Sequence, residues 1–103
     1  MPDSELIQPT PITAPRRVWT DAEWDAIRRS PAAGDWEASL VGDTLTLAQR
    51  ATGTSVYRAR FRRELVGWKI VSAEVESHPQ RYRAGPLEQE SQRLALIIER
   101  FVG

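Results

Sequence analysis

The stretch WEASLVGDTLTLAQRATGTSVYRARFRRELVGWKIVSAEVE, residues 36–76, decides the fold. Trp36, Ala38 and Leu40 alternate with Glu37, Ser39 and Val41, the period-two pattern of a strand with one buried face. Gly42-Asp43 supplies a two-residue hairpin loop, with glycine where a positive φ is required. That loop pairs Leu40 with Leu45 and Ala38 with Leu47. Ala51-Thr52-Gly53 fits a three-residue loop with Gly53 in the left-handed position, pairing Leu47 with Tyr57 and Leu45 with Ala59. Both loops turn the same apolar set inward, and a slip of one residue would turn that set over. Beyond Phe61 a looser turn, Arg63 to Gly67, leads into a fourth strand from Trp68 to Glu76, with Val71, Ala73 and Val75 inward.

Helices flank this meander. Thr20 caps the first, with Glu23 three residues on completing a capping box and Trp19 and Trp24 in the two positions of a hydrophobic staple. Pro31 ends it, because the residue before a proline is pushed out of helical geometry. Pro86 opens the last helix, where Leu87, Leu94, Ile97, Ile98 and Phe101 form one stripe for the inward face of the sheet. Glu88 and Glu90 near its start and Arg100 near its end suit the helix dipole. The expected fold is therefore α+β: a four-stranded antiparallel meander with a short N-terminal helix and a C-terminal helix packed on one face. Residues 1–15, with Pro2, Pro9, Pro11 and Pro15, form an extended or flexible tail before a single domain over 16–103. A sheet-edge arm is the other conformation open to that stretch.

Composition narrows the function classes. The 14 basic and 14 acidic residues cancel, so no global field draws the chain to nucleic acid or membrane. Without cysteine there are no disulfides, thiolate nucleophiles or cysteine-bearing zinc sites. The first residues lack a basic start followed by an apolar run, which makes the cytoplasm the expected location. His78, the one histidine, adjoins Pro79 at a strand end, where a surface loop role outweighs that of a base. Glu74 and Glu76 share a face, expected to be solvated and to balance nearby arginines. Neither an enzyme nor a bound cofactor or metal is expected.

The outer face of the meander carries Arg58, Arg60 and Arg62. In the register above Arg58 lies beside Thr46 and Ser72, with Ser39 one strand further. Arg60 lies between Thr44 and Ile70, and Arg62 opposite Trp68, in reach of a cation–π contact. Guanidinium forks bind carboxylates and phosphates bidentately, and hydroxyls complete such sites. Sheets that read single-stranded nucleic acid expose aromatics for base stacking, whereas Tyr57 and Phe61 point inward here.

The run Leu45 to Phe61, followed by Gly67-Trp68-Lys69-Ile70 and His78-Pro79-Gln80-Arg81-Tyr82, resembles a family of small bacterial domains with the motif His-Arg-Ser-Trp-Thr-Gly. In that family the motif closes one strand and precedes a Tyr-x-x-x-Phe strand, and an Asp-Pro-x-x-Tyr segment leads to a C-terminal helix. Such domains occur alone or beside ADP-ribosylglycohydrolase-type enzymes. At the motif this chain reads Ala48-Gln49-Arg50-Ala51-Thr52-Gly53, keeping only the Thr-Gly turn. The resemblance thus implies the fold and a small non-catalytic role near other enzymes, and nothing that needs the four missing side chains.

The expected function is a non-enzymatic protein-interaction module, accessory or immunity and inhibitor-like, presenting the outer sheet face or an edge strand. Trp68 serves as its anchor, and Arg58, Arg60 and Arg62 pair with acids of a protein partner. The alternative is a small anionic ligand, a phosphate or carboxylate, held by Arg58 and Arg60 with Thr46, Ser72 and Ser39. A homodimer is the second alternative, built through the first or fourth strand, each unpaired on one side.

Overall fold

A computed structural model describes residues 6–102. In chain order the elements are strands β1 (Pro9–Ile12) and β2 (Val18–Trp19), helix α1 (Asp21–Arg29), strands β3 (Ala32–Ala33), β4 (Trp36–Val41), β5 (Thr44–Gln49), β6 (Ser55–Glu64) and β7 (Gly67–Glu76), and helix α2 (Leu87–Val102). The fold is α+β, with two helices and one antiparallel sheet of seven strands among the described residues, in the order β1-β7-β6-β5-β4-β3, with β2 also on β7. The expected four strands are its centre, β4 to β7, and the sheet is three strands larger than expected. β2 and β3 have two residues each, too short to show alternation, and β1 is half proline.

Those additions cover most of the β7 edge and the first part of the β4 edge, both expected to be open. β1 runs along β7 with Pro9 opposite Glu76 and Ile12 opposite Ala73, so residues 9–12 are extended and tied into the sheet. The earlier residues 1–5 lie outside the described residues. The Ser77 N–H donates to the Gln8 carbonyl at 3.0 Å, making that opposed pair a hydrogen-bonded one. Antiparallel pairs alternate, so Thr10 and Ile12 bond to β7 while Pro9 and Pro11 fall where an N–H would face away from it. Proline lacks that N–H, and the outer edge of β1 is thereby poor in donors for a further strand. At the other edge β3 covers Trp36 and Glu37 of β4, and the Ala38 N–H reaches the Pro31 carbonyl at 2.9 Å.

The turns hold the core in register. Leu40 pairs with Leu45 and Ala38 with Leu47 across Gly42-Asp43, where Gly42 has φ 62°. Leu47 pairs with Tyr57 and Leu45 with Ala59, as the second loop predicts. That loop is one residue longer than expected: Gln49 and Thr54 bond across Arg50–Gly53, and a bulge at Val56 takes up the difference. Trp19, Leu45, Leu47, Tyr57, Phe61 and Val75 are fully buried beneath Trp24 and Ile27 of α1 and Leu94, Ile97, Ile98 and Phe101 of α2. The capping box forms: Thr20 Oγ1 accepts the Glu23 N–H at 3.1 Å and Glu23 Oε1 accepts the Thr20 N–H at 2.9 Å. Arg17 ties the helices together, donating to Glu23 at 2.7 Å and ion-paired with Glu99 at 3.1 Å. Leu87 leaves the expected stripe of α2 and is exposed, while Glu90 and Ser91 are buried.

Candidate functional site

The arginine row is correct in its β5–β6 half. Arg58 faces Thr46, which faces Ser39, and Arg60 faces Thr44. Against β7 the register differs. Arg58 faces Glu74 rather than Ser72, Arg60 faces Ser72 rather than Ile70, and Arg62 faces Lys69 rather than Trp68. Two causes add. The β6–β7 loop is the two-residue Leu65-Val66, one residue tighter than a centred turn, and Val71 is an extra bulged residue between Ile70 and Ser72. The tight turn alone would put Ala73 and Val75 on the wrong face, and the bulge restores them. Its consequence is that Ile70 is buried while Val71, expected inward, is exposed.

The same phase change turns Trp68 inward. Its ring stacks on Trp24 of α1 at 4.3 Å and 12°, and its indole N–H donates to Asp21 Oδ1 at 3.1 Å. The outward anchor and the Arg62–Trp68 cation–π pair are thus replaced. Cations lie instead over other rings, Arg17 over Trp19 at 5.2 Å and Arg93 over Tyr82 at 5.7 Å. Each arginine of the row has a carboxylate neighbour. Arg58 Nε donates to Glu74 Oε1 at 2.8 Å, Arg60 lies 3.9 Å from Asp43, and Arg62 lies 3.3 Å from Glu64. The Arg62 guanidinium beside Glu64 holds that carboxyl below the ordinary range. Thr44, Arg58, Arg60, Ser72 and Glu74 line a shallow depression of about 280 Å³, and Glu74 occupies the guanidinium that an anion would need.

A larger groove of about 610 Å³ lies at one end of the sheet. Asp21, Trp24, Asp25 and Arg28 of α1 form one wall, and Leu40, Gly42, Arg63 and Trp68 the rest. Because Thr44 pairs with Arg60, the β4–β5 and β6–β7 tips emerge together at this end. Val41 and Val66 are each 77% exposed there and Leu65 is fully exposed. Arg63 pairs with Asp21 at 3.5 Å across the groove.

Two buried carboxylates hold the opposite parts of the structure. Glu90, expected only to complement the helix dipole, accepts the Tyr57 hydroxyl at 2.7 Å and the Tyr82 hydroxyl at 2.9 Å. Arg93 Nη1 donates to the Tyr82 hydroxyl at 3.0 Å from the surface side. Burial first, then its hydrogen bonds to Tyr82 and Glu90, pushes the Tyr57 phenol far above its ordinary range. The signal was present in the sequence: Glu90 stands four residues before Leu94 on the apolar stripe, and Tyr57 points inward.

Glu76, expected solvated, is fully buried and accepts the Ile7 and Gln8 N–H groups at 2.7 Å each. Burial alone would raise its carboxyl, but the N–H groups of Ile7, Gln8 and His78 and the charge of Arg81 outweigh this and hold it below the ordinary value. A carboxyl depressed in the folded state stabilises fully above its unfolded pKa and loses that contribution as pH falls through the folded one. Glu76→Gln is therefore expected to loosen β1, speeding hydrogen exchange at the Thr10 and Ile12 amides by about tenfold or more. Wild type should show the same local loosening only in acid below the ordinary carboxylate range. His78 stays in the loop, its Nδ1 accepting the Gln80 N–H at 3.3 Å.

Among the described residues no group of three or more acidic or histidine side chains is arranged to hold a metal ion, and no helix is long and apolar enough to cross a membrane. Comparison with known proteins returns no match to a family model, a curated protein or a solved structure.

Proposed function

We propose that the chain is a small non-enzymatic protein-interaction module, of the accessory or inhibitor kind, that docks a partner protein at the end of the sheet where α1 meets the two hairpin tips. The observation that carries this reading is the cluster of exposed Val41, Leu65 and Val66 beside a groove with the stacked Trp24 and Trp68 in its walls. Exposed aliphatics at adjoining tips gain about 25 cal/mol per Å² when a partner covers them, and aromatic pockets are where binding energy concentrates. Asp21, Asp25, Arg28 and Arg63 supply a rim of both signs, suited to orientation rather than to bulk attraction. Arg60 and Arg62, each about two-thirds exposed, extend that mixed-charge surface onto the outer face.

The test is affinity capture from the native host with wild type and with Val41→Glu/Leu65→Glu. The double variant should lose captured partner by at least about tenfold, since each change puts a charge into the contact, with an unchanged circular dichroism spectrum. Arg58→Glu/Arg60→Glu should capture nearly as well as wild type. Loss in the arginine variant with retention in the tip variant would move the interface to the outer sheet face.

A further inference from the structure

The cations of this protein are unevenly matched. Arg17, Arg28, Arg58, Arg60, Arg62 and Arg63 each lie within 4 Å of a carboxylate. At the other end of β4, Arg50, Arg93 and Arg100 have no carboxylate partner among the described residues, yet they gather around one turn. Arg50 Nη1 donates to the Gly34 carbonyl at 3.2 Å, and Arg100 Nη1 lies 3.3 Å from the point where a Cβ on Gly34 would stand. Arg93 lines a depression of about 290 Å³ with Asp35, Trp36, Gln49 and Ala51, beginning at the residue after Gly34.

Three like charges around one exposed turn repel one another unless an anion joins them. Arg93 is also held in place. Its Nη1 is fixed by the Tyr82 hydroxyl at 3.0 Å, its guanidinium lies over the Tyr82 ring, and Tyr82 is itself anchored on buried Glu90. Such a fork loses little freedom when it binds, which favours recognition of an oxyanion over a passing surface contact. Asp35 and Arg93 are the two charged residues of the lining, and Arg50 and Arg100 beside Gly34 tip the local balance to positive. The volume suits one compact ligand group and falls short of most drug-sized pockets.

We infer that the depression between α2 and the β3–β4 turn binds a small oxyanion, phosphate or carboxylate, with Arg93 as its principal ligand and Arg50 and Arg100 as flanking charges. This site lies at the opposite end of β4 from the hairpin tips, so it stands or falls independently of the docking surface. The chemistry differs from that of the outer-face depression, where Glu74 already occupies Arg58.

Titration with inorganic phosphate and, separately, with succinate tests it, followed by amide chemical shifts at constant ionic strength. The expected result is saturable movement of the Gly34, Asp35, Gln49 and Ala51 amides, half complete at about 1–10 mM. The probe that saturates identifies the anion class. Arg93→Gln should weaken binding by about tenfold and Arg100→Gln by about threefold, while Arg58→Gln leaves it unchanged. Among the described residues Arg100 makes no ion pair or side-chain hydrogen bond, so its variant reports on the site even if Arg93→Gln perturbs Tyr82. No saturation by either probe at about 50 mM, or binding untouched by both the Arg93 and Arg100 changes, overturns the inference.

Discussion

Gly67→Ala is expected to remove about 3–5 kcal/mol of stability, a large share of the roughly 5–15 kcal/mol typical of a single domain. Two effects combine at this position. Gly67 has φ 142°, a backbone conformation that residues with a Cβ rarely adopt, costing about 1–3 kcal/mol. A Cβ built there would also stand 2.2 Å from the Trp19 carbonyl oxygen and 3.2 Å from Val18 Cγ1. The obstacle is backbone, not the movable end of a side chain, and β2 is held on β7 by the pairs Val18–Lys69 and Trp19–Trp68. Relief therefore requires β2 to lift, which withdraws the fully buried Trp19 from Phe61. Gly53→Ala is the control. Gly53 has φ 72° but open space around its Cβ direction, so only the conformational cost of about 1 kcal/mol remains. Thermal unfolding should separate the two clearly, at about 4–8 °C per kcal/mol. Equal melting temperatures would show that β2 does not press on Gly67.

Glu90→Leu is expected to cost about 3 kcal/mol, because it takes the charged acceptor from the Tyr57 and Tyr82 hydroxyls and leaves them only each other at 3.3 Å. The informative measurement is the coupling between the two positions. In wild type, Tyr57→Phe should destabilise by about 1 kcal/mol, through loss of one charge-assisted hydrogen bond. In the Glu90→Leu background the same change should cost clearly less, since only the longer contact with Tyr82 remains to be lost. A double-mutant cycle in urea reads this as a coupling energy of about 1 kcal/mol. If Tyr57→Phe costs the same in both backgrounds, the Tyr57–Glu90 bond adds nothing and the cluster is not a unit. The pH dependence follows from the direction of the Tyr57 shift. Its phenol is raised in the folded state, so its contribution is complete below the unfolded pKa of about 10 and declines as pH rises above it. Tyr57→Phe should flatten that alkaline decline.

The centre of the fold was legible because two tight turns and an apolar alternation must agree on register. Leu40–Leu45, Leu47–Tyr57 and Leu45–Ala59 all pair as expected, the last two through a longer loop whose extra residue the Val56 bulge offsets. What escaped was whatever a single residue decides. Val71 carries no mark of a bulge, yet it resets the phase of β7 and so determines that Trp68 lies against Trp24 and not in solvent. The site suffered more than the fold, because a face is a parity and one residue reverses it. The short strands β2 and β3 offer no periodicity, and the prolines of β1 look like a tail until β7 provides the edge on which they lie. Glu90 sits in the first turn of α2 as expected, but its burial went unread because an acid there already has a surface explanation in the helix dipole.

The β1–β7 pairing has a consequence in time. Gln8 and Glu76 are 68 residues apart in sequence, so the β1 arm has no sheet edge to join until β7 has been made. The intervening hairpins close over short loops and can assemble while the arm waits. The β1 arm, made before its partner strand, is then among the last elements to find its place, and until it does, the edge of β7 is open to the wrong partner.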